Sequence, residues 1–272
     1  MALCLALRGC QRGLGRAEER ILKLTTGYLP PHTQVRVDVS NVAARHNAVK
    51  AEQHKRINEK DAVMNIAVIG TGSVGGTLGR RWAELGHSVR FGVRDTTDAA
   101  ANTLVSQING DARVAGVRDA AADAEVVVLA TPYEANAAAT SAAGDLTGKV
   151  LIDVTNPITA DLSLAVGFDT SGAEGLAKLA PRARVYKAMN QAGFEVMADP
   201  SFPAGKPVMF VAGDEASGKK IVLDLVEALG FEAIDAGELA VARLIEPYAV
   251  LWIHLMARRK MGRRFAFGLL RR

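Results

Sequence analysis

The residues best able to do chemistry are gathered in one short run, Gly70-Thr71-Gly72-Ser73-Val74-Gly75. A first glycine permits a tight turn, a second lets backbone N–H groups approach a pyrophosphate, and a third allows close helix–strand packing. The spacing alone is weak, and its context decides. An apolar β-branched run (Ile66, Val68) precedes it, and Val74, Leu78, Trp82 and Leu85 follow at helical spacing. Gly86 closes that helix, and Ser88–Gly92 supplies a second strand. This is the arrangement that binds a dinucleotide, with the helix N-terminus adding donors and partial positive charge. After the second strand stands Val93-Arg94, where NAD enzymes place Asp or Glu on the ribose 2′-hydroxyl. An arginine there suits the 2′-phosphate of NADP; the adjacent Asp95 argues the other way with less force.

Three further segments put polar groups directly after apolar strands. They are Ala130-Thr131-Pro132-Tyr133, Val154-Thr155-Asn156-Pro157 and Lys187-Ala188-Met189-Asn190. In open α/β sheets ligands collect at the carboxyl ends of the strands. Asn156 can donate and accept at once, which suits a nicotinamide carboxamide or ribose, and Pro132 and Pro157 could fix their loops against the ring. Lys187, Met189 and Asn190 are the expected substrate side.

The elements that must position these groups alternate. Helices are expected at Asp98–Ile108, Asp119–Ala124, Glu134–Ala143, Ser171–Ala180 and Glu215–Leu229. Strands are expected at Ala112–Ala115, Glu125–Ala130, Lys149–Val154, Ala183–Lys187, Pro207–Ala212 and Phe231–Ile234. Such alternation predicts an α/β, doubly wound parallel sheet of the Rossmann type. A dinucleotide-binding domain over 64–185 and a small C-terminal α/β domain over 186–272 follow. The last helix, Glu238–Arg259, should kink at Pro247, and its apolar stretch Tyr248–Met256 could pair two subunits or be buried within one.

Charge and composition remove several classes. The net charge of +4 comes from the two ends, because residues 1–63 carry 11 basic against 6 acidic side chains and 258–272 carry 7 against none. The body between them is net acidic, so the pI near 9.1 marks no nucleic-acid-binding domain. No apolar run approaches the 18 or more residues of a bilayer span, so no membrane role is expected. Both cysteines, Cys4 and Cys10, precede the body. They allow no disulfide framework or metal pattern, and a cytoplasmic location is the expectation. Residues 1–63 read as sequence upstream of a start at Met64, as a disordered extension, or as a targeting peptide.

No Ser-His-Asp spacing, no HExxH and no acidic pair stands out. His254, within Leu251-Trp-Ile-His-Leu, reads as a core histidine. A ketone or imine reductase normally needs a positioned proton donor. Hydride exchange between two bound redox cofactors needs mainly apposed rings and excluded water. The residues therefore favour the second reaction. The alternatives kept open are a reductase of a small imine, keto or quinone substrate and a non-catalytic NADP(H)-sensing protein.

Together the motifs resemble a known family. Asn65-Ile-Ala-Val-Ile-Gly-Thr-Gly-Ser-Val-Gly-Gly, Phe91-Gly-Val-Arg94, Asp153-Val-Thr-Asn-Pro157, Ser171-Gly-Ala-Glu174, Val185-Tyr-Lys-Ala-Met-Asn190 and Met209-Phe-Val-Ala-Gly-Asp214 are similar to the NADPH-dependent deazaflavin (coenzyme F-420) reductases. That fold also serves as the cytosolic domain of six-transmembrane metalloreductases. The likeness covers about Met64 to Arg272, and residues 1–63 have no counterpart. It implies NADP in the glycine turn and hydride transfer to or from a deazaflavin or flavin. Thr71, Ser73 and Val74 would contact the pyrophosphate, and Val93 and Arg94 would face the 2′-phosphate. Two departures stand out: the family often has Ser at the Val93 position, and an aromatic is common at the Met189 position.

Overall fold

A computed structural model describes residues 63–272, so the readings of residues 1–63 lie, but for Val63, outside the described residues. Residues 62–272 form one compact unit. Its elements are β1 (Asn65–Ile69), α1 (Ser73–Glu84), β2 (Ser88–Val93), α2 (Ala99–Ser106), β3 (Ala112–Gly116), α3 (Val117–Ala122), β4 (Val126–Leu129) and α4 (Asn136–Ala143). There follow β5 (Val150–Asp153), α5 (Gly172–Leu179), β6 (Arg184–Lys187), α6 (Phe194–Ala198), β7 (Val208–Gly213), α7 (Ala216–Ala228), β8 (Glu232–Gly237) and α8 (Ala242–Ala257). Single 3₁₀ turns precede α4 and α8.

One eight-stranded sheet runs in the order β3-β2-β1-β4-β5-β6-β7-β8. All neighbouring pairs are parallel except β6 with β7. The doubly wound parallel sheet is therefore as expected, with the switch point between β1 and β4. Both faces are covered, and strand alternation decides which side chain enters which layer. Ile66, Val68, Val126 and Val128 pack with Leu78 and Trp82 of α1 and with Val222 and Leu225 of α7. Ala67, Ile69, Val127 and Leu129 pack on the other face with α3, α4 and Leu176 of α5.

The expected boundary at 185/186 is not a division of the structure. It falls inside β6, whose Tyr186 and Lys187 pair antiparallel with Gly213 and Ala212. Trp82 Nε1 donates to Leu225 O at 3.3 Å, so α1 and α7 share one core. The chain turns back antiparallel after β6, with only the five-residue α6 in the connection to β7.

Local signals explain the element ends. The Asp98 carboxylate caps α2 through Ala100 N and Ala101 N, and Ser171 Oγ caps α5 through Glu174 N. Glu215, expected as the first helical residue, is instead the cap of α7 and accepts from Ser217 N and Gly218 N. Helix α8 runs through Pro247 without a break. Among the described residues one helical segment, Leu239–Ala257, is long and apolar enough to cross a membrane by length and composition, which corrects the count made from apolar runs. It turns Ala242, Ile245, Ala249 and Trp252 into the core and leaves Leu244 and Leu251 exposed. His254 is exposed, not buried as expected; the helix places it on the solvent side, away from Trp252.

Candidate dinucleotide site

The glycine turn joins β1 to α1 at the switch point. Gly70 has φ +109°, a backbone that side chains rarely adopt, and a Cβ there would lie 2.7 Å from Ala130 O. A Cβ on Gly75 would lie 2.1 Å from Gly70 O, so the third glycine lets helix and strand touch. Gly72 differs, because a Cβ there would meet nothing within 4 Å. Its cradle opens to solvent at the amino end of α1, whose first-turn N–H groups point outward as an anion requires. No acidic residue lies in that first turn. Thr71 and Val74 are half-buried at the rim, and Ser73 is exposed. The donor set and open cradle fit a pyrophosphate.

At the end of β2, Val93 is half-buried and Arg94 exposed. No ion pair engages Arg94 among the described residues. Asp95, the acidic alternative, turns back on its own loop and accepts from Thr97 Oγ1 at 2.6 Å and Thr97 N at 2.9 Å. Those two bonds hold its carboxyl below the usual aspartate range. Among the described residues the Arg94 guanidinium is thus the charged group after β2 with no ion pair. Beside the turn, a cleft of about 800 Å³ runs from Thr71 and Ser73 along α1 past Arg80 to Phe194 and Phe202 of the facing segment. The loops after β4 and β5 do not line it.

Those loops form their own assembly. Ala130 and Thr131 are half-buried and Pro132 is exposed after β4; Asn156 is half-buried after β5. Thr131 Oγ1 donates to Asn136 Oδ1, and Asn136 Nδ2 donates to Thr155 Oγ1, each at 3.1 Å. Asn156 and Asn190 hold each other: Asn156 Nδ2 donates to Asn190 O, and Asn190 Nδ2 donates to Asn156 Oδ1, both at 2.9 Å. Asn156 therefore spends one of its two amide N–H groups on the protein and keeps the other, with one acceptor lone pair, for a ligand. Gln191, missed in the sequence, fastens this pair by bonding Asn190 Oδ1 and both backbone groups of Phe210.

Five expected contacts lie deeper than anticipated. Asn190 is buried, with its amide nitrogen bonded to Asn156 and its amide oxygen to Gln191. Lys187 is fully buried, bound to Asp153 Oδ2 and Glu246 Oε1 at 2.9 Å each. Burial opposes its charge, yet the two carboxylates outweigh that and raise its pKa above the ordinary lysine value. It cannot touch a substrate from there. Met189 is 1% exposed and belongs to the core, with φ +58°. Val154 is also in the core at 6% exposure, so only its backbone faces the site. Pro157 is buried, packed near the start of α5, where a Cβ on Gly172 would meet both Pro157 and Tyr133. The phenol of Tyr133 is pushed up by burial and by Glu246 and Asp153, against a smaller pull from Lys187.

Asp153 carried a signal in the sequence, a charge ending the apolar run Val-Leu-Ile. Glu246 and Asn136 carried none, because only the fold brings α8 and α4 to the strand ends.

A Rossmann sheet, an anion cradle at its switch point and an arginine after β2 define an NADP-binding oxidoreductase of the doubly wound class. Residues 65–157 match the family described as NADP oxidoreductase, coenzyme F420-dependent. The F420-dependent NADP reductase of Methanothermobacter thermautotrophicus is 36% identical over 217 residues, which cover 74% of this chain and 93% of that protein. A crystal structure from Arthrobacter sp. FB24, named there a candidate F420-dependent NADP reductase, superposes with a TM-score of 0.71 at 33% identity over 76% of this chain and all of its own. The metalloreductase STEAP3 of Rattus norvegicus is 31% identical over 182 residues, but only 35% of its length is spanned. The chain belongs to the coenzyme F420-dependent NADP oxidoreductase family.

Proposed function

We propose that this protein transfers a hydride between NADP(H) and a deazaflavin coenzyme of the F420 type, or a flavin. The observation that carries the reading is the pairing of an open anion cradle at Gly72 with the unpaired Arg94 guanidinium. When bound, the nicotinamide supplies the hydride chemistry. Gly72 and the amino end of α1 hold the phosphates, Arg94 selects the 2′-phosphate, and Thr131 and Asn156 orient the ring from the strand ends. The assignment of these residues is supported by their convergence on one edge of the sheet.

The neighbouring side chains favour a cofactor as the second partner. Asp153, the carboxylate ending β5, is fully buried against Lys187. His254 lies on the exposed side of α8. Neither is set to protonate a small carbonyl or imine substrate. A cytoplasmic enzyme acting on small redox cofactors, with no nucleic-acid or membrane partner, fits the acidic body. The exposed Leu244 and Leu251 of α8 support a homodimer.

The experiment is NADPH oxidation by the full chain with F420, then FMN, then a panel of small ketones and imines. Oxidation with F420 or FMN and none with the panel is the expected result. Turnover with the small substrates alone would replace the reading, and tight NADPH binding without turnover on any acceptor would make the protein a sensor.

A further inference from the structure

The strand-end loops rest on a buried cluster whose charges do not sum to zero. Lys187 Nζ meets three acceptors, Asp153 Oδ2 and Glu246 Oε1 at 2.9 Å and Thr155 O at 2.6 Å, one for each of its protons. Asp153 Oδ1 accepts from Thr155 N at 2.9 Å and Thr155 Oγ1 at 2.7 Å. Glu246 accepts from Gly172 N at 2.8 Å and Ala173 N at 3.1 Å. Among the described residues every contact to the two side chains is a donor, so both are bonded as carboxylates and neither has an acceptor toward which a carboxylic proton would point. One ammonium against two carboxylates leaves a single negative charge, offset in part by the amino end of α5, worth about half a charge.

The hydrogen bonds above the cluster are directed. Thr155 Oγ1 gives its proton to Asp153 and so accepts from Asn136 Nδ2. Asn136 Oδ1 is then left to accept from Thr131 Oγ1. Each donor points inward toward the anion, and the hydroxyl of half-buried Thr131 turns its lone pairs outward after β4. A chain of this kind polarises in one sense.

We infer that this uncompensated negative charge, carried outward through Thr155, Asn136 and Thr131, makes the nicotinamide side of the site favour the cationic oxidised ring over the neutral reduced ring. The inference rests on the NADP(H) reading above. Its consequence is a built-in bias toward hydride donation by the bound reduced nucleotide. Lys187, Asp153 and Glu246 are positioning residues that act through Thr155 and Thr131 without touching the ring.

The test is the ratio of dissociation constants, Kd for NADP⁺ over Kd for NADPH, measured by calorimetry on the full chain. Glu246→Gln and Asp153→Asn each remove one buried charge and should raise that ratio on the order of tenfold. Glu125→Gln, at the opposite edge of the sheet beside Asn65 N, should leave it unchanged. A purely structural role would weaken both forms together, and an unmoved ratio in variants that still bind both overturns the inference. If both charge variants fail to fold, Thr131→Val carries the test, since it touches no buried ion; the ratio must rise there by several-fold, and constancy refutes the proposal. Failure of the unaltered protein to bind either nucleotide would instead refute the NADP(H) reading itself.

Discussion

Gly72 and Gly75 stand three residues apart in one turn, yet a methyl group should do opposite things at the two positions. At Gly75 the added Cβ would lie 2.1 Å from Gly70 O and 3.0 Å from Ala130 Cβ. A backbone oxygen cannot rotate aside, so α1 must lift from β1 by roughly an ångström, and overpacking of this kind costs about 3 kcal/mol. At about 3 °C per kcal/mol for a domain this size, the melting temperature of Gly75→Ala should fall by about 9 °C. At Gly72 the backbone has φ −68° and ψ −176°, which alanine adopts freely, and the methyl would meet nothing within 4 Å. Gly72→Ala should therefore hold its stability, or gain up to about 1 kcal/mol from a stiffer unfolded chain. Its methyl would instead stand where the pyrophosphate must approach. Losing one charge-assisted bond of about 1.5–3 kcal/mol weakens NADPH binding by about 10- to 150-fold. Thermal unfolding without ligand, followed by NADPH titration of the same samples, separates the two effects. If Gly72→Ala binds NADPH like the unaltered protein, or melts as low as Gly75→Ala, the cradle assignment is wrong.

Arg94→Ala should weaken NADPH by about 10- to 100-fold, the worth of a charge-assisted phosphate contact, while NADH affinity stays within about twofold; parallel titrations check it. Val93→Ser places a hydroxyl beside the same phosphate and should tighten NADPH by about fivefold, equivalent to about 1 kcal/mol. Lys187→Met strands two buried carboxylates and should cost about 3–5 kcal/mol in denaturant unfolding; a variant as stable as the parent would refute the buried ion cluster. Glu215, held down to about 2 by Gly218 N, by Ser217 and by Arg184, has a folded pKa below its ordinary value of 4.5. Its contribution is complete above about 4.5 and is lost as the pH falls toward 2. Glu215→Gln should thus lower the melting temperature at neutral pH, with the difference closing across that acid window; a constant difference would contradict the cap.

The turn Gly70–Gly75 was legible because its chemistry is local: one strand, one bend and one helix lie in consecutive residues, and glycine spacing alone fixes how closely a backbone can approach an anion. Arg94 was legible for the same reason, since it follows the second strand by a fixed step. The doubly wound sheet was legible from the alternation of apolar strands and amphipathic helices. The expected division at 185/186 was not correct, because nothing local records that β6 pairs back onto β7 or that Trp82 reaches Leu225. Lys187 shows the same limit. In sequence it is a cation at a strand end, equally suited to a ligand or to solvent. Its partner Glu246 is 59 positions away on another helix, and their meeting depends on how α8 docks. Sequence by itself marked the turn proposed to hold the phosphates and the arginine proposed to select the nucleotide, because both follow their strands by a fixed local step. Only the tertiary structure decided which charges face the ligand and which neutralise one another inside, because burial and pairing belong to side chains that the chain brings together from distant positions.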